Sequence, residues 1–139
     1  LTGKEETDML ITVDFVSETP IYIQIYEQIV MAISTGDLAP GESLPSVRRL
    51  SEDIGVNIHT VNKTYAILRD EGYINMTRRS GAEVSSTMPD KRFLIPTLSD
   101  RLRQLSAQAS VHGIDRIEFL HIAESAYLEA IRKEERDIE

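Results

Sequence analysis

Apolar side chains recur at helical spacing over three successive stretches of the first half of the chain. Tyr22, Ile25, Tyr26, Ile29 and Ile33 make one face, and Thr19-Pro20 ahead of them reads as a helix start with Thr19 as N-cap and Pro20 at the first helical position. Gly36 ends that helix, and residues 37–41 carry turn chemistry. Leu44-Pro45-Ser46 opens a second helix, capped by Ser46, with Val47, Leu50 and Ile54 facing inward and Gly55 as its stop. Only Val56 separates Gly55 from Asn57, the cap of a third helix that runs to about Glu71 and buries Val61, Tyr65 and Leu68.

The period then changes from helical to alternating. Tyr73 to Met76 reads as a strand, residues 78–81 as a polar turn, and Ala82 to Ser86 as the return strand. Two helices across a short glycine-containing turn, followed by a hairpin, predict a winged helix-turn-helix. Upstream, Ile11, Val13 and Phe15 alternate with Thr12 and Asp14, which predicts a short edge strand.

Beyond a connector at 85–89, Leu98, Leu102, Leu105 and Ala109 form one helical stripe that His112-Gly113 breaks. A longer helix is expected from near Asp115, burying some of Ile117, Leu120, Ala123, Tyr127 and Ile131. So few elements make a poor core by themselves and must pack on the first domain, on a second copy, or on both. The fold class expected is mainly α: a winged helix-turn-helix of three helices plus a β-hairpin wing, then a short helical dimerisation segment. The boundaries are a polar segment at 1–18, a DNA-binding domain at 19–87 and a two-helix segment at 88–139.

Composition narrows the function. No apolar run approaches a membrane span, residues 1–10 are too acidic for a secretory signal, and there is no cysteine. These features fit a cytoplasmic protein without disulfides or cysteine-ligated metal. The net charge of −8 speaks against nucleic acid at first sight. Locally the picture differs, because Arg48, Arg49, Lys63, Arg78 and Arg79 supply nearly all the positive charge between residues 20 and 87.

On a helical wheel for the third helix, His59, Asn62 and Lys63 lie opposite Val61, Tyr65 and Leu68, with Thr60 on the flank. This outer face holds one cation and no acid. Asn and His can pair with base edges, and Lys and Thr can hold phosphates. Arg48 and Arg49 open the preceding helix and Arg78 and Arg79 sit at the wing tip, on the same side in a winged helix. Together they make a composite DNA surface a better explanation than separate solvated charges.

In these same stretches the chain resembles the GntR family of bacterial transcription regulators. The resemblance runs over residues 20–76. It is densest in Gly36-Asp37-Leu38-Ala39-Pro40-Gly41-Glu42-Ser43-Leu44-Pro45-Ser46-Val47-Arg48, and continues through Gly55-Val56-Asn57, Thr60-Val61, Tyr65, Leu68 and Glu71-Gly72. The short helical C-terminal part resembles the YtrA-type subfamily. The resemblance implies a homodimer on a double-stranded, two-fold symmetric operator, usually acting as a repressor. It implies that Ser46 meets backbone phosphate and Arg48 a base or phosphate. Asn57, His59 and Thr60 would then start the recognition helix, with Asn62 and Lys63 one turn on. Two departures stand out. Ile58 occupies a position where several relatives read guanine with an arginine, so base readout is expected to shift to its neighbours Arg48, Asn57, His59 and Asn62. The wing reads Arg79-Ser80-Gly81-Ala82-Glu83-Val84 where the family pattern is Gly-x-Gly-Thr-Phe/Tyr-Val, so Arg79 and Gly81 are wing candidates on the resemblance alone.

Catalysis finds no support: no phosphate loop, nucleophile elbow or zinc-protease pattern is present, and the spacing of His112, Glu118 and His121 suits no metal site. No enzyme activity, no cofactor, no metal and no membrane contact are expected. The rival reading is a winged helix serving as a protein-interaction module without DNA reading. The sequence leaves open a small-molecule effector of unknown identity.

Overall fold

The computed structural model describes residues 11–78 and 81–131. The chain divides into two compact units, Leu1–Pro89 and Asp90–Glu139.

In the first unit, helix α1 spans Ile21–Thr35. Its cap is Pro20 rather than the expected Thr19, and no side chain caps it. The reason is local. The Pro20 carbonyl takes the Ile23 and Gln24 amides at 3.0 and 3.1 Å, while the Thr19 carbonyl is occupied by Gln24 Nε2 at 2.8 Å. Proline's fixed φ serves a cap as well as a first helical residue. Gly36 ends the helix at φ 90°, a left-handed conformation that glycine adopts at no steric cost.

Residues 11–15 form no strand. Their alternation has another cause. Gln28 accepts the Thr12 amide at 3.0 Å and donates to the Thr12 carbonyl at 2.7 Å. Gln24 does the same for Asp14 at 2.9 and 3.0 Å. These two side chains, one helical turn apart on α1, stand in for a neighbouring strand, and Ile11 and Val13 turn onto the core.

Helix α2, Val47–Ile54, and helix α3, Ile58–Asp70, begin where the capping residues place them. Leu50, Val56, Val61, Tyr65 and Leu68 join Ile25 and Ile29 of α1 in a single core. The hairpin follows as β1, Ile74–Thr77, and β2, Gly81–Val84, antiparallel with Ile74 opposite Val84 and Thr77 opposite Gly81. Gly81 opens β2 at φ 69°, a left-handed conformation that glycine adopts without steric cost. A pairing that periodicity did not reveal covers the other edge of β2. Leu44 donates to Ala82 and Val84 donates to Glu42, both at 2.8 Å, with a bridge between Ser43 and Glu83. That segment is too short, and too close to Pro45, to show an alternation of its own. It shields the strand edge and carries Leu44 into the core. The phenol of Tyr26 donates to the Glu71 carboxylate, and its ring meets Tyr73 edge-on at 6.0 Å. Burial, reinforced by Glu71, pushes that phenol far above its ordinary pKa.

In the second unit, helix α4 spans Lys91–Val111 and helix α5 spans Arg116–Ala130. The expectation of a longer second helix is therefore reversed: α4 has 21 residues and α5 has 15. The leucine stripe marked only the later part of α4. Its start is set by Asp90, which accepts the Arg92 amide at 2.9 Å and pairs with the Arg92 guanidinium at 2.6 Å, holding the Asp90 carboxyl below its ordinary pKa. Pro96 lies inside the helix, where it lacks an amide for the turn before it. Of the residues from which a buried face was expected, Ile117, Leu120, Ala123 and Tyr127 are exposed and Ile131 is half-buried, and neither helix has a buried residue. Among the described residues, no helix is long and apolar enough to cross a membrane.

Candidate nucleic-acid interface

Two N-caps organise the candidate surface. Ser46 Oγ accepts the Arg49 amide at 3.1 Å, and Asn57 Oδ1 accepts the His59 amide at 2.8 Å. Each cap spends its acceptor on the helix. Each keeps a donor for an incoming group: the Ser46 hydroxyl proton and the Asn57 amide protons. Both residues are exposed. The amides of the first turns of α2 and α3 that no carbonyl takes add partial positive charge beside them.

A buried bond fixes the spacing of the two helices. The Tyr65 phenol, on the inner face of α3, donates to the Pro45 carbonyl at 2.7 Å. This holds the start of α2, with Ser46, Arg48 and Arg49, against the middle of α3. The other end of α2 leads through residues 55–57 into the start of α3. Ser46, Arg48, Arg49, Asn57, His59, Thr60, Asn62 and Lys63 thus belong to one packed helix pair. All are exposed except the half-buried Thr60. Arg78 and Gly81 stand apart at the hairpin turn, which reaches this pair through the packing of β1 on α3. Arg79 lies outside the described residues.

The cations differ in what holds them. Arg49 pairs with Asp53 one turn along α2 at 3.7 Å, an exposed contact of small energetic weight. No ion pair among the described residues involves Arg48. Lys63 Nζ lies 3.9 Å from the centroid of the Tyr22 ring, so a tyrosine of α1 holds the lysine over its π face. Tyr22 belongs to the candidate surface for this reason. Periodicity could not point to it, because the partners sit on different helices. Thr64 is fully buried and donates to the Thr60 carbonyl at 3.0 Å. Its place on the inner face, three residues after Val61, was readable from the wheel.

On α3 the outer face shows Ile58, His59, Asn62 and Lys63 to solvent without a carboxylate among them. The acids Glu52 and Asp53 lie on α2, and Asp70 and Glu71 lie at the far end of α3. The surface can donate to phosphates from Ser46, Arg48, Lys63 and backbone amides, and can donate to or accept from base edges through His59 and Asn62.

A family model described as bacterial regulatory proteins, gntR family, matches residues 21–84. The HTH-type transcriptional repressor YtrA of Bacillus subtilis (strain 168) is 35% identical over 116 residues, covering 81% of this chain and 87% of that protein. Among solved structures, YtrA from Sulfolobus acidocaldarius, a GntR-family transcription factor, aligns with a TM-score of 0.58 at 40% identity, over 69% of this chain and 99% of that one. A transcriptional antiterminator from Listeria monocytogenes EGD-e aligns with a TM-score of 0.80 at 25% identity, over 90% and 95%. The similarity extends through both helices of the DNA-binding motif and the wing. The chain belongs to the GntR family of bacterial regulatory proteins and is a DNA-binding transcription regulator.

Proposed function

We propose that this regulator is a cytoplasmic repressor that binds a two-fold symmetric operator as a homodimer and works by binding alone, without catalysis. The observation that carries the reading is the outer face of α3: exposed, free of acids, and flanked by the donor-bearing caps Ser46 and Asn57. In this reading His59 and Asn62 read base edges, and Ser46, Arg48, Thr60 and Lys63 hold phosphates. Arg49 and Asn57 support them, and Arg78, Arg79 and Gly81 approach the flanking groove from the wing. The repressor named YtrA in Bacillus supports the sign of regulation. The rival role, protein interaction alone, has only the acidic balance in its favour.

The second unit supports the dimer. Leu98, Leu102 and Leu105 of α4 and Leu120 and Tyr127 of α5 all remain exposed in the isolated chain, and apolar side chains left to water in this way suit an interaction surface. A second copy covers it and sets two α3 helices about 34 Å apart, in successive major grooves. A small-molecule effector would find its room at that interface, because α4 and α5 enclose no buried residue.

The test is selection of duplexes from a random pool. Enrichment of an inverted repeat with half-sites about one helical turn apart is expected, with affinity falling steeply as salt rises. Binding of random and selected duplexes with equal affinity would refute the reading. Truncation after Thr87 should give a monomer with much weaker operator affinity. A truncated dimer with full affinity would mean that α4 and α5 do not join the two copies.

A further inference from the structure

The first residue of α3 is an isoleucine that the fold does not use. Ile58 is 41% exposed, while the two positions before it and the fourth position of the helix have an assigned structural part. Val56 and Val61, before the cap and at the fourth helical position, both lie in the core, which is where a hydrophobic staple pins the start of a helix. Asn57 is the cap. An apolar side chain at this place gains nothing from water, and alanine would serve the helix better. Its neighbours are polar: His59 follows it, and Asn62, also exposed, lies one turn on along the same side of the helix. Helical side chains lean toward the N-terminus, so Ile58 leads the recognition face rather than trailing behind it.

We infer that Ile58 is a specificity-determining residue that packs on the C5 methyl group of a thymine in the major groove. The inference rests on the DNA reading proposed above and names one of the bases read. Isoleucine has no donor or acceptor. The major-groove edges of guanine, adenine and unmethylated cytosine are lined by acceptors or amino donors, which an isoleucine would desolvate without pairing. Thymine alone among the four bases offers an apolar group there. This chain therefore demands thymine at the base pair that Ile58 meets. His59 and Asn62 remain available for hydrogen bonds to adjacent base pairs.

The test removes one methyl at a time. The full chain is titrated against its selected duplex and against duplexes in which each thymine in turn is replaced by deoxyuridine, which keeps the base pair and deletes the C5 methyl. The same series is run with Ile58→Ala, after circular dichroism and melting show that the variant folds as the wild type does. The expected result is one thymine per half-site at which deoxyuridine weakens wild-type binding roughly fourfold, the worth of one buried methyl, and at which Ile58→Ala no longer distinguishes the two bases. Tight binding with no sensitive thymine overturns the inference and leaves the DNA reading intact. So does a variant as sensitive as the wild type, because another residue then contacts the methyl. If no duplex is selected over random DNA, the DNA reading and this inference fail together.

Discussion

Replacing Tyr65 by phenylalanine removes one atom from the bond that spaces the two helices of the DNA-binding motif. Tyr65 is 1% exposed, and its hydroxyl donates to the Pro45 carbonyl at 2.7 Å. Phenylalanine fills nearly the same space, so the ring keeps its packing in the core and the loss falls on what the hydroxyl does. A buried carbonyl left without its donor costs about 1–3 kcal/mol. For a unit of this size, 1 kcal/mol moves the melting temperature by about 4–8 °C. Tyr65→Ala adds the loss of the ring and the cavity it leaves, for a total of about 3–5 kcal/mol. The assay is urea unfolding followed by circular dichroism, at one fixed protein concentration because self-association stabilises by mass action. Tyr65→Phe should lower the midpoint at an unchanged slope, by a third to a half of the alanine effect. A phenylalanine variant within about 0.3 kcal/mol of the wild type, well below the loss expected for a stranded carbonyl, would show that the bond does not hold the start of α2 in place.

The candidate surface and α1 supply the remaining tests. Lys63→Ala should weaken operator binding and make the salt dependence shallower by about one unit of slope, the signature of one lost phosphate contact; an unchanged slope would mean that Lys63 stays over Tyr22 when DNA binds. Ser46→Ala should cost about 1 kcal/mol of stability through the lost cap. Ser46→Asp should keep the cap yet weaken DNA binding by placing a carboxylate at the phosphate, so the pair separates the residue's two roles in one melting and one binding experiment. Gln24→Ala and Gln28→Ala should speed amide hydrogen exchange at Asp14 and Thr12 respectively, each without affecting the other site much; unchanged exchange would show that the segment is held by its apolar side chains alone.

The parts of this fold that were legible in the sequence are those whose cause lies within a few residues. Ser46 and Asn57 cap the helices they precede, Gly36 and Gly55 end helices in a left-handed conformation, and the inner faces of α2 and α3 follow from spacing. The capping residues of the candidate site were visible for the same reason. What escaped has its cause at a distance. Lys63 meets Tyr22 across two helices, and residues 42–44 pair with a strand far along the chain. Ile11 and Val13 alternate because one face meets the core, which is what a strand would also show, whereas Phe15 is exposed. Ile117 and Leu120 are exposed in the single chain, because apolar periodicity says that a face seeks cover without saying which chain provides it.

The clamp formed by Gln24 and Gln28 bears on how this protein can change over generations. It holds the chain at Thr12 and Asp14 by main-chain amide and carbonyl groups alone, so it is blind to which amino acid stands there. Position 12 can drift to almost any residue and keep its anchorage, whereas at position 14 the Asp14 carboxylate also accepts the Val16 amide at 2.9 Å. Proline is the exception, because it has no amide to give. The glutamines have no such freedom, since a shorter or charged side chain cannot present the same donor and acceptor at that reach. The instruction for docking this segment is therefore written mainly in the helix that receives it, and its outward position at 12 is left open to selection for some other purpose.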